Sequence, residues 1–202
     1  MSAGSADVAD RGSTTVALRS DRGHLLPLPV ARWFAEPSAF EQVVLSRAIA
    51  PVLDVGCGPA RHTLTLRSRG VRALGIDVAS AAVRVARERG APVLQRSVFS
   101  RLPGEGAWGS ALLFDGNIGI GGSPVALLAR LGRALRRDGR ILVEVGPPGA
   151  PTESFRARID HGAWFPWATV GVDALGRVAE AAGFRLRELW SADGRWFGSL
   201  DP

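Results

Sequence analysis

Lysine and tyrosine are absent from this 202-residue chain, cysteine and methionine occur once each, and histidine occurs three times. With Cys57 alone, no internal disulfide can form. His24, His62 and His161 share no metal-ligand spacing with it, so a structural zinc site is not expected. No apolar run approaches the roughly 18 residues that a membrane-crossing helix needs. The opening Met1-Ser2-Ala3-Gly4-Ser5-Ala6-Asp7 has neither a basic stretch nor an apolar core of a secretory signal. The expectation is therefore a cytoplasmic protein with no membrane partner.

The missing lysines also bear on the charge. All 25 basic residues are arginine, against 19 acidic ones, for a net charge of +6. The sequence isoelectric point of about 11.3 overstates that excess, because almost nothing titrates between histidine and arginine. Arg130, Arg133 and Arg137 recur at helical spacing opposite Leu127, Leu128, Leu131 and Leu135, the pattern of a solvated helix face. A nucleic-acid partner is accordingly disfavoured.

What is present is a hydrophobic fraction of 46% in a chain of a length suited to one core. Three stretches are expected: a mobile tail over residues 1–22, a cap segment and helix over 23–50, and a single α/β domain over 51–202. Within the second, Leu25 to Phe34 is apolar and broken by prolines, as a cap over a site would be. Ser38 is placed to cap a helix running to about Ala50.

From Pro51 onward, short apolar runs alternate with helical periods, the signature of strand-helix-strand units and a largely parallel sheet. Strands are expected at Val52–Val55, Val71–Ile76, Pro92–Ser97, Ala111–Phe114 and Ile141–Val145. Helices are expected at Arg61–Arg69, Ser80–Arg89, from Ser123-Pro124 to Asp138-Gly139, and at Asp173–Ala182. Residues 147–170 read as a loop, and Phe184–Trp190 with Arg195–Leu200 as a closing hairpin. The fold class is thus α/β, a Rossmann-like doubly wound sheet of seven mostly parallel strands with an antiparallel C-terminal hairpin strand.

The chemistry is concentrated where the first strand ends in Asp54, Gly56-Cys57-Gly58 opens a helix, and Asp77 closes the next strand. The glycines let backbone approach a ligand, and Asp77 lies 21 residues beyond Gly56, near the spacing of a ribose-binding carboxylate. An adenosine-containing ligand follows. A dinucleotide fingerprint would place a third glycine where Arg61 stands and a pyrophosphate beside the loop. The Asp54 carboxylate would repel that pyrophosphate and favour the ammonium of a methionine moiety. The cofactor so selected is S-adenosylmethionine.

At these residues the chain resembles the class I S-adenosylmethionine-dependent methyltransferases over roughly residues 36–200. Val52-Leu53-Asp54-Val55-Gly56-Cys57-Gly58-Pro59 matches the first motif of that superfamily and Gly75-Ile76-Asp77 its second. The run Leu113 to Gly122 is similar to a subgroup of small bacterial methyltransferases of undetermined substrate. The resemblance supplies the strand order. It assigns Gly56 and Gly58 to the methionine side of the cofactor, Asp54 to its amino group and Asp77, with Val78 beside it, to the ribose. It sets Ser97 and Val98 against the adenine, although many relatives carry an acid near Ser97. Asp115 and Asn117 would line the pocket between sulfonium and acceptor.

Cys57 reads as a small packed residue of the cofactor loop, not a nucleophile. His62 reads as a cofactor-shell or packing residue in preference to a base. Methyl transfer from a sulfonium needs positioning above all, and a base only where the acceptor must lose a proton. Glu144 and His161, near the carboxyl ends of the strands, are the base candidates. Asp160 to Trp167 concentrates three aromatic rings, which either wall an acceptor or cover the core. Trp164 and Trp167, with Trp33 and Phe34, form the expected substrate enclosure.

The leading expectation is methylation of a small-molecule acceptor, releasing S-adenosylhomocysteine. A methyltransferase acting on exocyclic base amines would carry an Asn/Asp-Pro-Pro-aromatic segment, which Asp115-Gly116-Asn117-Ile118 is not. Other nucleic-acid methyltransferases, and a module that binds the cofactor without methylating, remain open. Oligomeric state is not legible.

Overall fold

The computed structural model describes residues 16–202. Residues 1–15 of the expected tail lie outside the described residues, but the expectation fails within 16–22, where Ala17–Ser20 forms a strand, β1. It pairs antiparallel with β2 (Leu25–Pro27). Two short helices follow, α1 (Val30–Phe34) and α2 (Ala39–Leu45). Ser38 caps α2 as expected, within a reciprocal capping box with Glu41.

The alternating region then builds β3 (Val52–Val55), α3 (Arg61–Ser68), β4 (Ala73–Asp77), α4 (Ser80–Glu88), β5 (Val93–Gln95) and β6 (Trp108–Leu113). After a 3-10 segment at Asn117–Gly122 come α5 (Pro124–Ala134), β7 (Leu135–Val145), β8 (Glu153–Ile159), β9 (Phe165–Thr169), α6 (Val172–Ala181), β10 (Arg185–Ala192) and β11 (Arg195–Asp201). The seven-stranded sheet has the order β10-β11-β7-β6-β3-β4-β5. Its strands from β5 to β7 are parallel, and β11 alone runs against both of its neighbours.

The period-2 alternation of each central strand divides the core between the two faces. Leu53, Val55, Ala111, Leu113, Ile141 and Val143 pack with α5 and α6. Val52, Leu112, Phe114 and Leu142 pack with Val44 and Leu45 of α2 and Leu66 of α3. The chain steps outward from β3 through β4 to β5 and then crosses back to set β6 on the other side of β3, so the switch point of the sheet lies at the carboxyl ends of β3 and β6, where open α/β sheets hold ligands. Among the described residues no helix is long and apolar enough to cross a membrane.

Three expectations are corrected. Residues 147–170 are not a loop: β8 and β9 join β1 and β2 in a second, antiparallel sheet of order β2-β1-β8-β9. Phe155, Ala157, Leu18, Phe165 and Trp167 cluster on it. The alternation of Phe155, Ala157 and Ile159 with Arg156 and Arg158 carried that strand signal. The helix from Pro124 ends at Ala134, not near Asp138, because Leu135 turns extended and pairs with Trp108 of β6. Arg130 is not on a solvated face. It is buried, and its guanidinium donates to the Ser100 carbonyl at 2.8 Å and to Glu105.

The second sheet rests on the 3-10 segment with no room to spare. A Cβ at Gly119 would stand 2.1 Å from the Ala168 carbonyl oxygen and 2.7 Å from the Trp167 indole nitrogen. Gly119→Ala is expected to cost about 1–3 kcal/mol through forced backbone displacement, read as a lowered urea midpoint. Gly176→Ala, with only an ordinary contact at 4.0 Å, should not lower it.

Candidate active site

The carboxyl ends of β3, β4 and β6 form the floor of a cavity of about 760 Å³, and β1, α1, β8 and β9 supply much of its roof. That volume falls in the range of small-molecule and cofactor sites, about 300–1,000 Å³. On the floor, Gly56 and Gly58 have φ of +69° and +53°. A Cβ at Gly56 would lie 2.7 Å from Asn117 Nδ2. That amide instead donates to the carbonyls of Val55 (2.9 Å) and Gly56 (3.0 Å), pinning the loop.

Asp77 Oδ2 accepts from the Gly58 N–H at 2.9 Å and Oδ1 from the Ala79 N–H at 2.8 Å. The second strand end is thereby tied to the first loop. Cys57 packs beneath, its sulfur where a side chain at position 75 would be. Burial pushes its thiol far above the ordinary range, with Asp54 and Asp77 adding to the effect. It is a packed residue and not a nucleophile.

Asp54 is 2% exposed. Its Oδ2 accepts from Thr63 Oγ1 at 2.7 Å and from the Thr63 N–H at 3.2 Å, and the residue borders the cavity. Burial pushes its carboxyl up, against the opposing pull of His62 and the Thr63 hydrogen bonds. A buried carboxylate with so few donors gains from a cation placed in the cavity.

Beside this floor lies a buried ionic cluster centred on Glu41, which is 1% exposed. Glu41 Oε1 is met by Arg61 Nη2 at 2.5 Å, Arg195 Nη1 at 2.8 Å and His62 Nε2 at 3.2 Å. Its Oε2 accepts from Arg61 Nη1 at 3.0 Å and from the Ser38 N–H at 2.8 Å. Arg61 also reaches Asp115 at 2.9 Å. Arg195 holds Glu144 through two contacts of 2.8 Å and approaches Asp115 at 3.4 Å. Although burial pushes the Glu41 carboxyl up, the hydrogen bonds from His62, Arg61, Ser38 and Arg195 hold it far below the usual carboxylate range.

The structure brings most of the expected site together: Asp54, Gly56, Cys57, Gly58, His62, Asp77, Val78, Ser97, Val98, Asp115 and Asn117 all line the one cavity, as do Trp33, Phe34 and Trp167. Three expected residues do not. Glu144 is locked by Arg195 and by the Asp115 N–H at 2.6 Å, which leaves it no role as a free base. His161 is exposed at the β8–β9 turn. Trp164, 38% exposed, stacks under the Arg158 guanidinium outside the cavity. The turn residues Asp115 and Gly116, both at positive φ, serve the site as well as the chain reversal, since Asp115 borders the cavity.

Glu41, Arg195, Phe99 and the β1 residue Leu18 were not anticipated. The Ser38-x-x-Glu41 spacing was legible as a capping box, but its second role depends on Arg61 and Arg195, 20 and 154 residues downstream.

Comparison with known proteins agrees with this geometry. Residues 52–139 match the family model described as a methyltransferase domain. A protein-L-isoaspartate O-methyltransferase from Methylorubrum populi is 30% identical over 131 residues, 63% of this chain and 61% of that protein. The match thus spans about three-fifths of the relative's length. The crystal structure of an S-adenosylmethionine-dependent methyltransferase from Bacteroides fragilis in complex with S-adenosylhomocysteine superposes with a TM-score of 0.75 at 21% identity, covering 94% of this chain and 88% of that one. The Burkholderia thailandensis 1,6-didemethyltoxoflavin-N1-methyltransferase, with its acceptor and S-adenosylhomocysteine bound, gives a TM-score of 0.63 at 21% identity, covering 86% and 82%.

Fold and floor together define a Rossmann-like protein built to hold a nucleoside at a glycine turn. The chain carries a match to the methyltransferase-domain family over residues 52–139 and has the fold of the class I S-adenosylmethionine-dependent methyltransferases.

The cluster makes a stability prediction. Removing Glu41 by Glu41→Ala leaves two buried guanidinium groups short of a partner and should cost about 3–5 kcal/mol, measured by denaturant unfolding. The depressed Glu41 carboxyl stabilises the fold above the unfolded-state value of about 4.3. That contribution is expected to drain away as pH falls below it toward the lower folded value, and the variant should show a shallower loss of stability over the same acid range.

Proposed function

We propose that the protein transfers the methyl group of S-adenosylmethionine to a small, flat, largely apolar acceptor. The observation that carries this is the mixed lining of a single cavity. It is bordered by the glycine turn, Asp54 and Asp77, and also by Leu28, Val30, Trp33, Phe34, Phe165 and Trp167.

The residues present fit the cofactor. Asp54 offers a buried carboxylate to its ammonium. Gly56 and Gly58 leave backbone bare beside the methionine chain. Asp77 faces the ribose hydroxyls, with Val78, Ser97 and Val98 around the adenine. When bound, the cofactor supplies an electrophilic methyl group on a sulfonium. The chain's part is to orient the acceptor in line and exclude water from it.

Aromatic walls suit a flat acceptor, because ring faces bury a large area while fixing orientation. That the Burkholderia thailandensis neighbour is a methyltransferase with a bound heterocyclic acceptor supports the same reading. The isoaspartate methyltransferase relative points to a peptide carboxylate instead, which a lining of apolar and aromatic side chains favours less.

Thermal shift with S-adenosylmethionine, S-adenosylhomocysteine and NAD tests the cofactor half. At 100 times its dissociation constant, a ligand stabilises by about 2.7 kcal/mol. The adenosyl sulfur compounds are expected to shift the transition, and NAD is not. Asp77→Ala and Asp54→Asn should each remove much of the shift. Labelled methyl transfer to a set of small aromatic acceptors and an isoaspartyl peptide tests the other half. Trp167→Ala should lower turnover of an aromatic acceptor at least tenfold while leaving the S-adenosylhomocysteine shift intact. Label transferred to the peptide alone would sink the small-acceptor reading.

A further inference from the structure

We infer that His62, oriented by Glu41, is the general base that removes the proton from the acceptor, which makes that acceptor a hydroxyl or another group that must lose a proton as it is methylated. This rests on the methyl-transfer reading above.

The ring is fixed from two sides. Its Nε2 lies 3.2 Å from Glu41 Oε1, and the ring packs T-shaped against Phe114 with centroids 4.9 Å apart. Glu41 is held as a carboxylate by five contacts, so it can only accept. In the neutral ring the proton must therefore sit on Nε2. That leaves the lone pair on Nδ1, which has no partner among the described residues. The ring itself borders the cavity, which the glycine turn and Asp115 also line. A base oriented by a buried carboxylate through its far nitrogen is the arrangement that activates hydroxyl nucleophiles in other enzymes.

The cluster that includes His62 also carries the carboxylates of Asp115 and Glu144 and the guanidinium groups of Arg61 and Arg195, all linked to Glu41 directly or through one another, and the buried Asp54 borders the same cavity.

In the step, the acceptor's O–H proton passes to Nδ1. The oxygen electron pair forms the new O–CH3 bond, and the pair of the breaking C–S bond stays on sulfur. The imidazolium then returns its proton to water when the products leave.

Two measurements test it. The first uses labelled S-adenosylmethionine with phenols, which are neutral at pH 7.5, and with aromatic carboxylates of the same size, which are already ionised. Phenol methylation by the wild type is expected to show an acid limb in its kcat profile. His62→Gln should abolish that limb and lower kcat roughly 100-fold or more, with KM and the S-adenosylhomocysteine thermal shift little changed. Equal losses on both acceptor types, or carboxylate methylation alone, would overturn the proposal.

The second is the 15N NMR signature of the His62 ring at pH 7.5, assigned by its absence in His62→Gln. A neutral ring protonated on Nε2 is expected. A proton resident on Nδ1 overturns the proposal, whether or not any acceptor in the set is methylated. Failure of the thermal shift in the wild type would instead count against the methyl-transfer reading itself.

Discussion

One buried carboxylate, Glu41, sets the geometry of the site. It ends the first turn of α2 through the Ser38 capping box, and it also receives Arg61, His62 and Arg195. Those three come from the first crossover helix and from the last strand of the chain. An ion pair of this depth gives little net stability over an apolar replacement, because desolvation of each charge costs several kcal/mol. Once made, however, it tolerates few alternatives: a shift of α2 along the sheet would strand two guanidinium groups at once. The cluster thereby fixes where the cap enters the fold, and so where Trp33 and Phe34 stand over the cavity.

The roof has a different origin from the floor. The floor is local: strand, glycine turn and helix lie within residues 52–68, and Asp77 is reached by one crossover. The roof is assembled from segments far apart in sequence, with Leu18 opposite Ile159 in the β1–β8 pairing. Strand pairing of such separation is held by an apolar cluster of modest size and by the close fit of Gly119 and Gly122 under β9. The result is a floor typical of open α/β sheets under a roof whose side chains come from distant segments of the chain.

What was legible in the sequence follows that division. Asp54, Gly56, Gly58 and Asp77 were readable because their spacing is imposed by a local strand-turn-helix and by the length of one crossover. Two helix starts were readable for the same reason: Ser38 and Ser123 each carry an oxygen that accepts from a first-turn N–H. The second sheet was not, since Pro147, Pro148, Gly149 and Pro151 mask the alternation that begins at Glu153. The choice among Trp164, His161 and Trp167 turned on which side of β9 and its turn each side chain occupies, and that depends on pairing with β8. Glu144 sits at the expected strand end, yet its role is decided by Arg195, 51 residues later.

The same cluster explains why arginine serves where lysine would not. Arg61 spans both oxygens of Glu41 and still contacts Asp115, and Arg195 joins Glu144, Glu41 and Asp115. A planar fork with five donors can bridge carboxylates in this way, whereas an ammonium is a compact point charge that holds its water more tightly. The forks help hold Glu41 as a carboxylate, and a carboxylate there can only accept from the His62 ring nitrogen beside it. The arginines therefore act on the cavity at one remove. They hold the carboxylate that meets the imidazole, and both also reach Asp115 at the border of the cavity.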